Sequence, residues 1–163
     1  MSDKAIHLHV NIGQQTLSVW QGDRCIKTYA ISTAKNGPGE RVHSERTPRG
    51  QHIIRAKIGE GADINTVFVG RRDTGERYSP ALRQQFPDRD WILTRILWLS
   101  GSEVGKNRLG AVDTMRRYIY IHGCPDEDEM GVPGSHGCIK MRNRDVIELF
   151  ELVAPATPVY IEE

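Results

Sequence analysis

Apolar and polar residues alternate along three short segments near the start of the chain, at 6–10, 16–20 and 25–32. A period of two is typical of half-buried β-strands, in which successive side chains point to opposite faces. Turn-forming residues separate the segments, with Gly13 in the first gap and Gly22 in the second. The pattern therefore predicts two hairpins in series, a β-meander.

Four further strands are predicted later in the chain, at 51–58, 91–99, 117–122 and 158–161, each rich in β-branched or aromatic residues. Residues 33–50 contain many glycines and prolines and are expected to form a long loop. Residues 59–90 are polar and rich in arginine, and we interpret them as a candidate lid or insertion within a single domain that spans 1–163.

One good helix is predicted, over 143–153. Asn143 is expected to cap it, Asp145 lies in the first turn, where the helix dipole favours a carboxylate, and Pro155 ends it. Four apolar residues share one face at helical spacing: Val146, Ile147, Phe150 and Val153. The predicted fold class is mainly β, a sandwich or open barrel with one principal helix near the C-terminus.

Composition and charge narrow the class of protein. The 163 residues are 38% hydrophobic and 26% charged, with a mean hydropathy of −0.49, as in an ordinary globular domain. A net charge of +1 argues against a nucleic-acid partner, and no apolar run approaches the roughly 20 residues that span a bilayer. Residues 1–12 show no signal peptide, so we expect a cytoplasmic protein that binds neither nucleic acid nor membrane.

The chemistry is concentrated in residues 121–143, which contain His-Gly-Cys twice, at 122–124 and 136–138. One interpretation is nucleophilic catalysis by Cys138, with His122 as the base at the end of a strand. In that case Gly137 would let backbone amides approach a developing oxyanion, and Lys140 would add positive charge.

Two other interpretations stay open. The four His and Cys side chains form a formal zinc ligand set, although the His-x-Cys spacing is unusual for zinc. An isolated cysteine is also often a small buried structural residue and an isolated histidine a satisfied polar group, which is the interpretation we take for Cys25 and for His7, His9, His43 and His52. Cys124 is either a bystander or a redox partner of Cys138.

This block resembles the catalytic domain of the L,D-transpeptidase (YkuD) family. The family motif is a His followed, some residues later, by Ser/Thr-His-Gly-Cys, an apolar residue, Arg and an Asn. Here it stands as His122, then 135–139 (SHGCI), Lys140, and finally Arg142 and Asn143. The segments 32–39 and 47–50 and the last strand also look like the family, so the resemblance covers most of the chain.

The resemblance implies a role for each matching residue. Cys138 would be the nucleophile, His122 the general base, and the Gly123 carbonyl the group that orients the imidazole. His136 and Gly137 would form the pocket wall and the oxyanion hole. The residues implied to bind substrate are Ser135, Lys140, Arg142 and Asn143. Lysine stands at position 140 where the family has arginine, and a lysine cannot bind a carboxylate through two parallel hydrogen bonds as arginine does.

The resemblance also implies the substrate, a murein stem peptide, and acylation by carbapenems. Family members cleave the amide before the fourth-position D-Ala and link the stem to the cysteine as a thioester. An amine acceptor then gives a 3–3 cross-link, whereas water gives a tripeptide. For a cytoplasmic protein we expect water as the acceptor, an L,D-carboxypeptidase of peptidoglycan recycling that needs neither cofactor nor metal.

Overall fold

Ten strands form one continuous sheet in the computed structural model, which describes residues 5–163. The strands are β1 (Ile6–Asn11), β2 (Thr16–Gln21), β3 (Arg24–Ser32), β4 (Gly50–Ile58), β5 (Thr66–Val69), β6 (Arg72–Arg77), β7 (Ile92–Gly101), β8 (Tyr120–Gly123), β9 (Ile139–Met141) and β10 (Pro158–Glu162). The helices are α1 (Pro80–Gln85) and α2 (Asn143–Leu152), and Gly110–Val112 form a short 3₁₀ turn.

The sheet closes on itself as a barrel. Its strand order is β4-β10-β1-β2-β3-β9-β8-β7-β5-β6, and an additional pairing of β4 with β7 completes a ring of eight strands. The hairpin of β5 and β6 is appended to β7, outside that ring. The predicted fold class, mainly β with one main helix near the C-terminus, is confirmed.

The predicted meander is present in β1, β2 and β3, which pair antiparallel in sequence order. Alternation along β1 and β2 turns one set of side chains into the barrel, where they are fully buried: Leu8, Val10, Leu17 and Val19. The apolar interior that they share with α2 holds the strands of the barrel in register.

Helix α2 packs on β7 and β8 through Val146, Leu149 and Phe150. Leu149 is buried where the sequence predicted Ile147, because the buried stripe follows the spacing i, i+3 and i+4 from Val146. The prediction that Asn143 caps this helix is wrong. Arg142 occupies the cap position without a side-chain hydrogen bond, and Asn143 is already helical. Within residues 5–163, no helix is long and apolar enough to cross a membrane.

Three elements were not predicted from the sequence. The hairpin of β5 and β6 and the six-residue helix α1 occupy the segment 59–90, and β9 is only three residues long. Their residues show too few apolar repeats to reveal a period, and β9 exists because it pairs with β3 and β8, which are distant in sequence. Strand β8 is shorter than the predicted 117–122, because Tyr118 adopts a positive φ of 58° just before it.

Candidate active site

Two neighbouring parallel strands of the barrel bring the predicted base and nucleophile close together. Strands β8 and β9 pair with Ile121 opposite Ile139 and His122 opposite Lys140. Cys138 directly precedes β9, so this register places it level with Tyr120, two residues before His122. The closeness of His122 and Cys138 thus follows from strand pairing between segments 16 residues apart.

A tight turn presents Cys138. The hydroxyl of Ser135 donates to the Cys138 carbonyl at 2.5 Å and accepts from the Gly137 amide at 3.1 Å. Buried Thr47 donates to the Gly137 carbonyl at 2.9 Å, which ties the turn to the loop before β4. Gly137 has a φ of +134°, where a side chain is strained. The Ser135 hydroxyl is therefore engaged in shaping the turn.

The Cys138 thiol lies against the start of β8. It donates to the carbonyl oxygen of Tyr118 at 3.4 Å, and the amide of Tyr120 donates to the sulfur at 3.3 Å. Among residues 5–163 these backbone groups are its hydrogen-bond partners, so the thiol must leave the Tyr118 carbonyl to give its proton to His122. Such rearrangement on substrate binding is common in enzymes whose sites are empty.

The imidazole of His122 is buried and oriented by the neighbouring backbone. Its Nδ1 lies 2.6 Å from the carbonyl oxygen of Gly123, the contact that the family resemblance implies. Since a carbonyl only accepts, Nδ1 carries the hydrogen and Nε2 keeps its lone pair. This tautomer is the one a general base needs.

Burial makes both partners neutral at rest. It raises the pKa of the Cys138 thiol to about 12, against the opposing effect of the Tyr120 amide. Burial also lowers the pKa of His122, and the negative charge of Asp90 partly offsets this lowering. The resting pair is a thiol and an imidazole rather than a thiolate and an imidazolium, so proton transfer belongs to the attack on substrate.

Alkylation of the free enzyme tests this protonation state. Because a raised pKa withholds the thiolate until high pH, we expect the rate at which iodoacetamide modifies Cys138 to keep rising from pH 7 past pH 9. The rate is measured by mass spectrometry of the Cys138 peptide, with exposed Cys25 as an internal reference for reagent reactivity. A rate that is already constant between pH 6 and 8 would instead indicate a preformed ion pair.

A cleft of about 570 Å³ surrounds the thiol. Its polar lining residues are Arg71, Asp90, Arg117, Tyr118, Tyr120, His122, Ser135, His136 and Cys138. His136 is exposed and also borders two further clefts, one beside Arg83 and one beside Val42. It therefore stands at the junction of three depressions, a suitable wall for more than one peptide strand.

Asn143 lies beneath the site rather than on its surface. Its side chain is buried, and its oxygen accepts a hydrogen bond from Thr94 Oγ1 at 2.6 Å. Its nitrogen, which carries two hydrogens, lies within hydrogen-bond distance of three oxygens: Asn65 Oδ1, Cys124 O and Asp126 Oδ1. The predicted contact with substrate does not fit this burial, because the amide is fully engaged in joining α2 to the end of β8.

Lys140, which the resemblance implies as a substrate contact, is paired within the protein. Its ammonium lies 2.9 Å from Asp128, whose other oxygen accepts from Arg83 of α1 at 2.9 Å. Tyr78 also donates to Glu127 of the same loop. An ion pair and a hydrogen bond therefore connect the acidic loop between β8 and β9 to the segment 59–90, the candidate lid.

The remaining predicted residues lie apart from the thiol. Arg142 is exposed and lines a different depression, near Ile64. Cys124 is buried, and its free thiol donates to the carbonyl of Met141 at 3.3 Å, while burial raises its pKa to about 12. Cys25 is exposed, so the prediction of a buried structural residue is wrong there.

The zinc interpretation requires four converging side chains. Among the residues that the structure describes, no three His, Cys, Asp or Glu side chains are grouped so that they could hold a metal ion. The two His-Gly-Cys copies diverge because Cys124 points to the Met141 carbonyl and Cys138 to the Tyr118 carbonyl.

Five polar residues of the cleft lining were not predicted as site residues: Arg71, Asp90, Arg117, Tyr118 and Tyr120. Arg71 and Arg117 are two of many arginines in the chain, and nothing local in the sequence distinguishes them. The positive φ of Tyr118, which points its carbonyl at the thiol, likewise has no sequence signal, since glycine is the residue usually found there.

A cysteine, an imidazole of the correct tautomer and a shaped backbone turn on a β-barrel define a site suited to cysteine-dependent acyl transfer. The model of the YkuD family, the L,D-transpeptidase catalytic domain, matches residues 5–161. The chain therefore belongs to that family.

Known relatives agree with this assignment. A Bacillus licheniformis protein provisionally named L,D-transpeptidase YkuD is 28% identical over 93% of the chain and 62% of its own length. The Bacillus subtilis protein of the same name is 28% identical over 95% of this chain and 65% of its own length. The chain thus spans less than two thirds of these curated relatives.

Solved structures share the fold. An L,D-transpeptidase from Mycobacterium smegmatis superposes with a TM-score of 0.60 at 17% identity, covering 98% of this chain and 59% of that one. L,D-transpeptidase 3 from Mycobacterium tuberculosis, in complex with a faropenem-derived adduct, superposes with a TM-score of 0.60 at 17% identity, covering 98% of this chain and 60% of that one. At these identities the likeness concerns the fold alone.

Proposed function

We propose that the protein is a cytoplasmic L,D-carboxypeptidase that removes the terminal D-Ala from murein tetrapeptides. The observation that carries the proposal is the placement of Cys138 and His122 in one cleft, with the imidazole Nε2 available as a base. The family assignment supports stem peptides as the substrate class.

In the first step, His122 Nε2 takes the thiol proton while Cys138 Sγ attacks the carbonyl carbon of the third residue. The resemblance implies Gly137 in the oxyanion hole, but its amide already donates to the Ser135 hydroxyl, so the next backbone amide, that of Cys138, is the proposed oxyanion donor. The C–N bond then breaks, and the imidazolium returns the proton to the departing D-Ala amine. A thioester joins the stem to Cys138.

In the second step, His122 activates a water molecule that attacks the thioester, and the thiol is released. Water is the proposed acceptor because a cytoplasm supplies soluble stem peptides from wall turnover rather than polymeric murein. The alternative is transpeptidation, with an amine of a second stem as the acceptor. The meeting of three clefts at His136 favours this second candidate, since it offers room for another peptide.

Product analysis separates the two outcomes. The enzyme is incubated with soluble tetrapeptide, with and without a second stem peptide as amine acceptor, and the products are identified by mass spectrometry. We expect tripeptide and D-Ala from the wild type and from Cys25→Ala, and neither from Cys138→Ala. A cross-linked dimer without tripeptide would contradict the carboxypeptidase, and turnover by Cys138→Ala would contradict the mechanism.

A further inference from the structure

Two arginines, Arg71 and Arg117, line the cleft beside Cys138. Among residues 5–163, neither forms an ion pair with a carboxylate. The acid of the lining is Asp90, so the described lining carries two cations and one anion. An unpaired guanidinium in a cleft is a ready partner for an anionic group of a ligand.

The backbone places Arg71 at the tip of the hairpin formed by β5 and β6. Gly70 and Arg71 are the two residues between these strands, with φ of 57° and 66°. Such a turn needs positive φ at both central positions, which favours glycine or asparagine. An arginine there adopts a sparsely populated conformation, and residues of this kind concentrate at functional sites.

The side chain of Arg71 is held in place without being neutralised. Its guanidinium lies 4.6 Å from the ring centre of Trp98 and 5.1 Å from that of Tyr118. One nitrogen donates to the Tyr120 hydroxyl at 3.0 Å. Stacking and one neutral hydrogen bond orient the planar fork, and its other donors have no partner within the described part of the chain.

Arg117 adds an uncompensated charge to the same wall. It is half-buried, and among residues 5–163 its guanidinium donates to neutral oxygens alone: Gly39 O, Glu40 O, Ser44 Oγ and Arg46 O. The nearby Glu40 carboxylate is itself paired with Arg49. The positive charge of Arg117 therefore reaches the cleft, while its donors hold the loop before β4.

We propose that Arg71 binds a substrate carboxylate next to the scissile amide, with Arg117 contributing to the favourable potential. This specificity role rests on the proposed action on stem peptides. A tetrapeptide offers two such carboxylates, at the C-terminal D-Ala and on the side chain of a third-position diaminopimelate. Arg71 is a specificity-determining residue, and the chemical steps remain with Cys138 and His122.

Steady-state kinetics of Arg71→Gln test the proposal. A charge-assisted hydrogen bond corresponds to roughly tenfold to hundredfold in binding, so we expect KM for the tetrapeptide to rise by about that factor with little change in kcat. The KM of Arg71→Lys should lie between those of the wild type and Arg71→Gln, because lysine keeps the charge without the planar fork. Arg72→Gln, an exposed neighbour outside the cleft lining, is the matched control and should behave as wild type.

Two altered peptides identify the carboxylate. One carries a C-terminal D-Ala amide, and the other has L-Lys in place of diaminopimelate. The peptide that lacks the recognised carboxylate should bind wild type about tenfold or more weakly, and Arg71→Gln should then cause no further loss. If Arg71→Gln weakens all three peptides equally, or none of them, the proposal is wrong.

Binding is also measured by calorimetry in the Cys138→Ala background, which separates recognition from chemistry. Carboxylate-dependent binding through Arg71 without turnover by the wild type would uphold the recognition and refute the carboxypeptidase. Turnover without any dependence on Arg71 would refute the recognition alone. Absence of both binding and turnover would refute both.

Discussion

Replacing His122 with glutamine is expected to slow acylation of Cys138 by about 10²- to 10⁴-fold at pH 7, the usual contribution of a general base. Glutamine can still donate to the Gly123 carbonyl, but it cannot take a proton. The measurement is the rate at which imipenem adds to the protein, followed by intact mass. Because the thiol ionises on its own at high pH, the deficit should shrink as the pH rises towards the raised pKa of Cys138.

His52→Gln is the matched control for His122→Gln. His52 is another buried histidine with Nδ1 against a carbonyl, that of Gly50 at 3.0 Å, and burial lowers its pKa to about 4. It lies outside the cleft, so its replacement should leave the acylation rate unchanged. Equal losses in the two variants would mean that the effect is one of folding, and a normal rate in His122→Gln would exclude His122 as the base.

Gly123→Ala is expected to destabilise the protein by about 2–4 kcal/mol and to abolish measurable acylation. A Cβ at this position would meet Asn143 Oδ1 at 2.3 Å and the Leu93 carbonyl oxygen at 2.7 Å. The second atom belongs to the backbone of β7, so no simple side-chain movement relieves the contact. The displacement would shift the carbonyl that orients His122 and break the buried network of Asn143.

Urea unfolding and the imipenem reaction measure the two effects of Gly123→Ala. Gly13→Ala serves as the control, because its nearest contact would be an ordinary 3.4 Å and no positive φ is involved. We expect the control to unfold within about 1 kcal/mol of wild type and to react normally. Wild-type stability and reactivity in Gly123→Ala would show that the approach of β7, β8 and Asn143 is not as close as described.

Local sequence patterns predicted seven of the ten strands and the motif residues, because each of these depends on a short stretch of chain. Alternation in β1 and β2 identifies buried Leu8 and Val19, and the Ser-His-Gly-Cys motif identifies the nucleophile. These features need no knowledge of distant partners. The pattern left a sandwich and an open barrel as alternatives, and the pairing of β4 with β7, which are distant in sequence, closes the barrel.

Most of the features that escaped prediction depend on distant partners. Asn143 looked like a helix cap or a substrate ligand, and only the fold brings Thr94 and Asn65 to its amide. Lys140 was predicted to bind a substrate carboxylate, but the loop between β8 and β9 brings Asp128 into an ion pair with it. Arg71 is distinguished by its hairpin-tip φ and by stacking on Trp98, neither of which the sequence displays.

The most direct test of the account is to locate the acyl group formed from the tetrapeptide. The reaction is quenched with acid within the first turnover, and proteolytic peptides are analysed by mass spectrometry. We expect a hydroxylamine-sensitive adduct, equal to the tetrapeptide minus D-Ala, on Cys138 and on neither Cys25 nor Cys124. An adduct on another cysteine, or D-Ala release without any thioester on Cys138, would contradict it.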